Sequence, residues 1–226
     1  MTAFDAGNLE IGRSGGVGCS RVAGRVAENL RGRARFSGLL MPAELPRYQL
    51  RDMNPELAAV LRPRVARLGY LGEFFQYTAA QPEALAAFVA FTESAKLGLA
   101  NDLVEVVALT AAGRLDNEYE RNQHEQLCLK LGFDKQWIHA VQELAPAAAP
   151  LLDEAQRMVQ RFVLQALGDA DCDSTSGLTK LSATIGATEA IAVLFLVARY
   201  AAHALIVSCL GLDPPVPSIF GVEPAL

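Results

Sequence analysis

Apolar side chains recur along this chain at three- and four-residue intervals, and nowhere do they alternate over a useful length. In "QPEALAAFVAFTESAKLG" (81–98), Leu85, Phe88, Val89 and Thr92 share one helical face, Pro82 opens the run and Gly98 closes it. "NPELAAVLRPRVARLG" (54–69) starts with Asn54 as a cap and Pro55 at the first helical position, and Pro63 predicts a kink. A short apolar helix is expected in "YLGEFFQYTAA" (70–80). Further helices are expected in 101–113, 117–132, from Asp134, from Pro150 to Gly168, and over 175–210 with a break near Gly186. "DADCDSTSG" between them reads as a polar loop, and the proline-rich "LDPPVPSIFGVEPAL" cannot stay helical. The pattern predicts an all-α fold.

The chain has 226 residues, 51% of them hydrophobic, which suits one domain. Residues 1–45 stand apart as a Gly/Arg-rich arm, with at most a weak helix near 20–31, and 46–226 form the expected helical domain. Met41 or Met53 is an alternative start for the folded part. "SGGVG" lacks both the preceding strand and the following Gly-Lys-Ser/Thr of a phosphate loop. A net charge of −5 gives no reason to expect nucleic-acid or anionic-membrane partners. Cys19, Cys128, Cys172 and Cys209 show no CxxC or metal-finger spacing, and read as reduced thiols. The N-terminus lacks a secretory apolar core. "IAVLFLVA" (191–198), bounded by Glu189 and Arg199, is shorter than the ~20 apolar residues a span needs, so it is expected to be a buried helix of a cytoplasmic protein.

Two helices carry candidate chemistry. In "NDLVEVVALTAAG", Glu105 is surrounded by Leu103, Val104, Val106, Val107, Ala108 and Leu109, so the helix should be buried and the carboxylate needs a partner or must stay protonated. Asn101 and Asp102 are explained as caps at the helix start. In "NEYERNQHEQLCLKLG", Glu120, His124 and Cys128 form one i, i+4 column, beside a largely apolar column of Tyr119, Gln123, Leu127 and Leu131. Glu118, Asn122, Gln126 and Lys130 are placed toward a wetter side. A short link predicts antiparallel packing that brings Glu105 toward His124. A carboxylate on one imidazole nitrogen fixes the tautomer and leaves the other nitrogen for proton transfer. The residues alone leave three readings open: a catalytic pair, a satisfied structural contact, or a metal site of Glu105, Glu120 and His124, although HExxH and ExxH are both absent.

At these residues the sequence resembles the carboxymuconolactone decarboxylase family, which includes the AhpD-like alkylhydroperoxidases. The pattern is E-x14-E-x3-H, with "EYERNQH" where redox members carry CxxC followed by His. The resemblance extends over about 53–213, through "LGEFFQYTAAQPEALAAF" and "VARYAAHALIVSCLGLDPP". Matching the histidine to His124 puts the two cysteine positions at Asn117 and Glu120, so the resemblance points to a non-redox member. It implies an AhpD-like helical bundle that assembles as a homo-oligomer (dimer, trimer or hexamer), with no metal and no organic cofactor. It also implies a lyase or decarboxylase acting on a small unsaturated carboxylic acid or lactone. Glu105, Glu120 and His124 would then be catalytic, with Tyr119 and Arg199 toward the substrate. A catalytically silent scaffold of the same fold is the alternative, and a peroxidase or disulfide-reductase partner is disfavoured because Cys128 has no partner at CxxC spacing. Arg199 reads as a ligand for a substrate carboxylate, for helix carbonyls or for an interface acid; His203 as structural; His139 as partly exposed; Phe74, Phe75 and Tyr77 as core.

Overall fold

The computed structural model describes residues 45–168 and 173–221. The N-terminal arm, but for its last residue, lies outside the described residues, as do Cys19 and Cys172. The described chain is all-helical: α1 (Pro55–Leu68), α2 (Glu73–Thr78), α3 (Pro82–Lys96), α4 (Asn101–Arg114), α5 (Glu118–Leu131), α6 (Lys135–Gln142), α7 (Glu154–Ala166), α8 (Ser174–Ile185) and α9 (Ala187–Leu210), with 3-10 turns at Leu50–Asp52 and Pro146–Ala148.

Local chemistry sets most of these boundaries. Asn54 Oδ1 accepts from the backbone N–H groups of Glu56 and Leu57, and Pro55 follows at the first position. Pro63 lies inside α1, which continues through it to Leu68. Gly186, at φ 100°, separates α8 from α9 where the break was expected, a conformation that a β-carbon would strain.

Four expectations need correcting. The α7 helix begins at Glu154 rather than Pro150, because Asp153 and Gln156 form a reciprocal capping box. Ser174–Gly177 is the first turn of α8, since the Asp173 carboxylate accepts from the Ser176 N–H. Asn101 and Asp102 do not cap α4: its cap residue is Ala100, and Asp102 instead accepts from Gln156 Nε2 at 2.8 Å, tying α4 to α7. The apolar run 191–198 belongs to a 24-residue helix that is long and apolar enough to cross a membrane by length and composition; half of its most apolar window is buried inside the fold.

The core is organised around α4. Every residue from Val104 to Ala112 is buried, so this helix has no solvent face, and α5, α6, α7 and α9 enclose it. A second apolar cluster, including Met53, Leu57, Phe74, Leu85, Val89, Tyr119 and Val207, joins α1, α2 and α3 to the ends of α5 and α9. The α9 helix takes part in both clusters, through Val193 and Leu196 in one and Val207 in the other. Its outer strip leaves Ile191, Leu194, Phe195 and Leu205 exposed, with Phe91 of α3 edge-on to Phe195.

The proline-rich tail folds back across α5. Asn122 Nδ2 donates to the Val216 carbonyl at 3.0 Å and Gln126 Nε2 to that of Pro217 at 3.3 Å. Glu125 is the anchor: its carboxylate accepts from the Ser218 hydroxyl, the Ile219 N–H and Gln142 Nε2 at 2.6, 2.9 and 2.7 Å. Of the face of α5 that reads as wetter in sequence, the tail covers the middle: Asn122 is buried and Gln126 half-buried, while Glu118 and Lys130 stay exposed.

Candidate active site

Four helices converge where the two apolar clusters meet, and the side chains they carry there are polar. The α4–α5 hairpin puts Glu105 against His124, with Oε2 2.6 Å from Nδ1. Both are buried, at 3% and 7% exposure. An ionised Glu105 fixes Nδ1 as the protonated nitrogen, leaving Nε2 as an acceptor. The Tyr200 hydroxyl lies 3.2 Å from that Nε2. Glu105, His124 and Tyr200 therefore form a continuous hydrogen-bonded line, all three side chains being buried. Cys128, one turn beyond His124, directs its thiol at the same Glu105 oxygen at 3.4 Å. Burial and the adjacent Glu105 carboxylate push the thiol pKa well up, so it is a donor rather than a nucleophile.

Beside this line sits a second buried pair. Arg199 Nη1 on α9 binds Glu120 Oε1 on α5, and Arg199 Nε donates to Thr92 Oγ1 on α3 at 3.2 Å. The guanidinium also lies over the Tyr200 ring, 4.5 Å from its centroid. Burial opposes ionisation of Glu120, but His203 when protonated and Arg199 at any working pH outweigh it and hold the carboxyl below the ordinary range. His203 stacks on Phe74 with ring centroids 4.3 Å apart and has Nδ1 3.4 Å from Asn117 Nδ2. Burial lowers its pKa to about 3, against the opposing pull of Glu120. His203 is thus neutral, although Glu120 Oε1 lies 3.7 Å from its Nδ1. The Tyr119 hydroxyl accepts from the Phe74 N–H at 3.3 Å, and burial raises its pKa. A β-carbon on Gly72 would stand 2.7 Å from that oxygen, so a glycine keeps room for it.

These groups border one cavity of 330 Å³, a volume at the lower end of small-ligand sites. His124, Glu120, Tyr119, Arg199, Tyr200 and His203 all line it. Glu105 sits behind His124 and reaches the cavity through the imidazole. The five side chains singled out in the sequence are therefore in one neighbourhood, as two couples and a tyrosine. Sequence reasoning missed Tyr200 and Thr92. A signal was present for Tyr200: Leu196, Arg199, Tyr200, His203 and Val207 recur on one face of α9, so the polar members share a side of an otherwise apolar helix. Phe74 and Phe75, read as core, also form cavity wall. His139 is exposed and remote from these contacts, near Glu143 and Phe220.

Among the described residues no group of three or more His, Cys, Asp or Glu side chains is placed to hold a metal ion. Asn117 and Glu120, where the resemblance puts cysteines in redox relatives, have other work. Asn117 Oδ1 caps α5 through the Glu120 N–H at 3.3 Å, while Glu120 holds Arg199.

No family model and no curated protein matches the chain. A solved structure does: a cysteine-to-alanine variant of the debrominase Bmp8 in complex with 2,3,4-tribromopyrrole. The match has a TM-score of 0.65 at 15% identity and covers 76% of this chain and 92% of that one. The likeness shows the fold. It leaves the chemistry to be argued from the side chains.

The neutral His203 has a consequence for stability. Unfolded, this histidine binds a proton below pH ~6.5; folded, it does so only near pH 3. Stability from this group is full above the upper value and is lost as pH falls. The loss approaches ~1.4 kcal/mol per pH unit over about pH 6 to 5. Urea unfolding at several pH values should show that slope shrinking in His203→Gln by about this amount.

Proposed function

We propose that this protein is a cofactor-independent acid–base enzyme, a lyase or decarboxylase of AhpD-like fold, acting on a small unsaturated carboxylic acid or lactone. The observation that carries the reading is the Glu105–His124–Tyr200 line ending at a cavity. A buried imidazole held by a carboxylate on one side and a hydroxyl on the other is an arrangement for moving a proton to a fixed point. The helical fold shared with the debrominase structure supports the AhpD-like assignment, and the small planar ring in that complex is of a size this cavity accommodates.

In the proposed step the bond between the substrate carbon and its carboxylate breaks. Carbon dioxide leaves and the electron pair is delocalised through the conjugated carbonyl as an enolate. Tyr200, whose hydroxyl burial keeps protonated, gives its proton to the carbon. Solvent delivers the replacement proton to Nε2 of His124, which carries none while Nδ1 is bonded to Glu105, and the imidazole passes it to the tyrosinate. Arg199 and Glu120 are too tightly engaged with each other to exchange protons freely; their role in this reading is to hold the pocket's shape. Thiol chemistry of the kind a peroxidase uses is disfavoured, because Cys128 is buried, protonated and bonded to Glu105.

Loss of absorbance from a panel of conjugated carboxylic acids and lactones tests the reading. Wild type should turn over at least one member. His124→Ala should lower kcat by about 10²–10⁴-fold, and Tyr200→Phe by roughly tenfold or more, with rates compared per folded molecule as judged by circular dichroism. Equal rates for wild type and His124→Ala would favour a silent scaffold in which the buried pair is only structural.

The proposal includes a homo-oligomer. The exposed strip of Ile191, Leu194 and Phe195 beside Phe91 is apolar surface that a second copy would cover. Sedimentation should give a mass that is a multiple of 24.2 kDa, and a single-chain mass at micromolar concentration would count against it.

A further inference from the structure

The cavity wall carries a charge opposite to that of the molecule. The chain as a whole has a net charge of −5. The cavity is bordered by Arg64, Arg67, Lys96, Lys130 and Arg199, with Glu120 as its one carboxylate, five positive groups against one negative. Arg199 is neutralised by Glu120 and so cannot supply a free charge without stranding its partner. The other four cations face the cavity from α1, α3 and α5.

Two of them are positioned more tightly than surface charges. Arg64 of α1 and Lys96 at the end of α3 converge on a single acceptor, Glu93 Oε1; Lys96 Nζ lies 3.9 Å from it. The Arg64 side chain is only 14% exposed and that of Lys96 27%, whereas Glu93 is 56% exposed. Two half-buried cations thus share one carboxylate that is itself mostly in water. The Arg64 guanidinium sits over the Phe75 ring at 5.4 Å, and Phe75 is also cavity wall. Burial disfavours the charged form of both cations, Arg199 repels both, and Glu93 only partly offsets this. A second negative group arriving from the cavity would relieve the imbalance.

We propose that Arg64 and Lys96 form an anion subsite that takes the carboxylate of a planar unsaturated acid, laying its body along Phe74, Phe75 and Tyr200. The inference rests on the acid-substrate reading given above but assigns the carboxylate to this pair rather than to Arg199. A ligand anchored there places its conjugated body between the anchor and the Tyr200 hydroxyl, and the cationic collar draws anions toward the cavity. Neutral analogues of the same shape lose the charge-assisted bonds and leave the two cations desolvated without gain.

Titration calorimetry on the full chain at low salt, with benzoate and its neutral isostere benzamide as probes, tests the subsite. Benzoate should bind at least about tenfold more tightly than benzamide, and its affinity should fall as salt is raised. Lys96→Met should weaken benzoate by about tenfold while leaving benzamide unchanged. Glu93→Gln, which frees both cations, should tighten benzoate, a gain that a misfolded variant cannot give. His124→Gln, whose side-chain amide can still donate to Glu105, should keep benzoate binding while losing turnover. That last result separates the two proposals, since turnover can fail while the subsite stands. Equal affinity for the two probes, no benzoate binding, or a Glu93→Gln variant that binds benzoate no better would overturn the assignment.

Discussion

The structure depends on how one carboxylate survives in the centre of an apolar helix. Glu105 has buried neighbours on every side of α4, where an unpartnered charge would cost several kcal/mol. His124 Nδ1 meets it at 2.6 Å, and the Cys128 thiol meets the same oxygen. Both partners come from one i, i+4 column of α5. The hairpin between α4 and α5 is therefore held in register by a polar contact as well as by packing. A slip of one residue in either helix would remove both donors from Glu105 together. The same contact aims the imidazole's second nitrogen at Tyr200 and the cavity.

A second constraint keeps that cavity open. Arg199 and Glu120 bridge α9 to α5, Thr92 adds α3, and His203 stacks on Phe74 of α2. Each of these groups is polar and would oppose collapse into an apolar core. The site thus lies at the seam between the two apolar clusters, where α9 passes from one to the other. Buried polar groups at such a seam must be satisfied in full or they destabilise the fold. Here the named ones are paired, and the positive groups left over face the cavity.

Sequence reasoning reached the parts that local pattern encodes. Glu105 in an apolar run and His124 in a column with Glu120 and Cys128 were legible because helical periodicity decides which side chains face inward. The cap at Asn54 and the break at Gly186 were legible because each uses a residue suited to that backbone. What escaped depends on distant partners. Arg199 and Glu120 are 79 positions apart, and nothing near either one names the other. Asp102 looked like a cap because it sits at a helix start, yet Gln156 claims it from 54 positions away. Asn122 looked solvated, and it is buried where a proline-rich tail folds back over α5. Periodicity describes a helix; it cannot say which loop later covers its outer face.

A double-mutant cycle on Glu105 and His124 tests the central claim most directly. Urea unfolding would be measured for wild type, Glu105→Leu, His124→Leu and the double variant. The account predicts that His124→Leu alone is severely destabilising, by roughly 3–5 kcal/mol, because it strands a buried carboxylate. It also predicts that the double variant recovers much of that loss, with a coupling of about 2 kcal/mol or more. Costs that simply add, to within about 0.5 kcal/mol, would mean that Glu105 does not need His124, and the account of both the fold's register and the site's geometry would be contradicted.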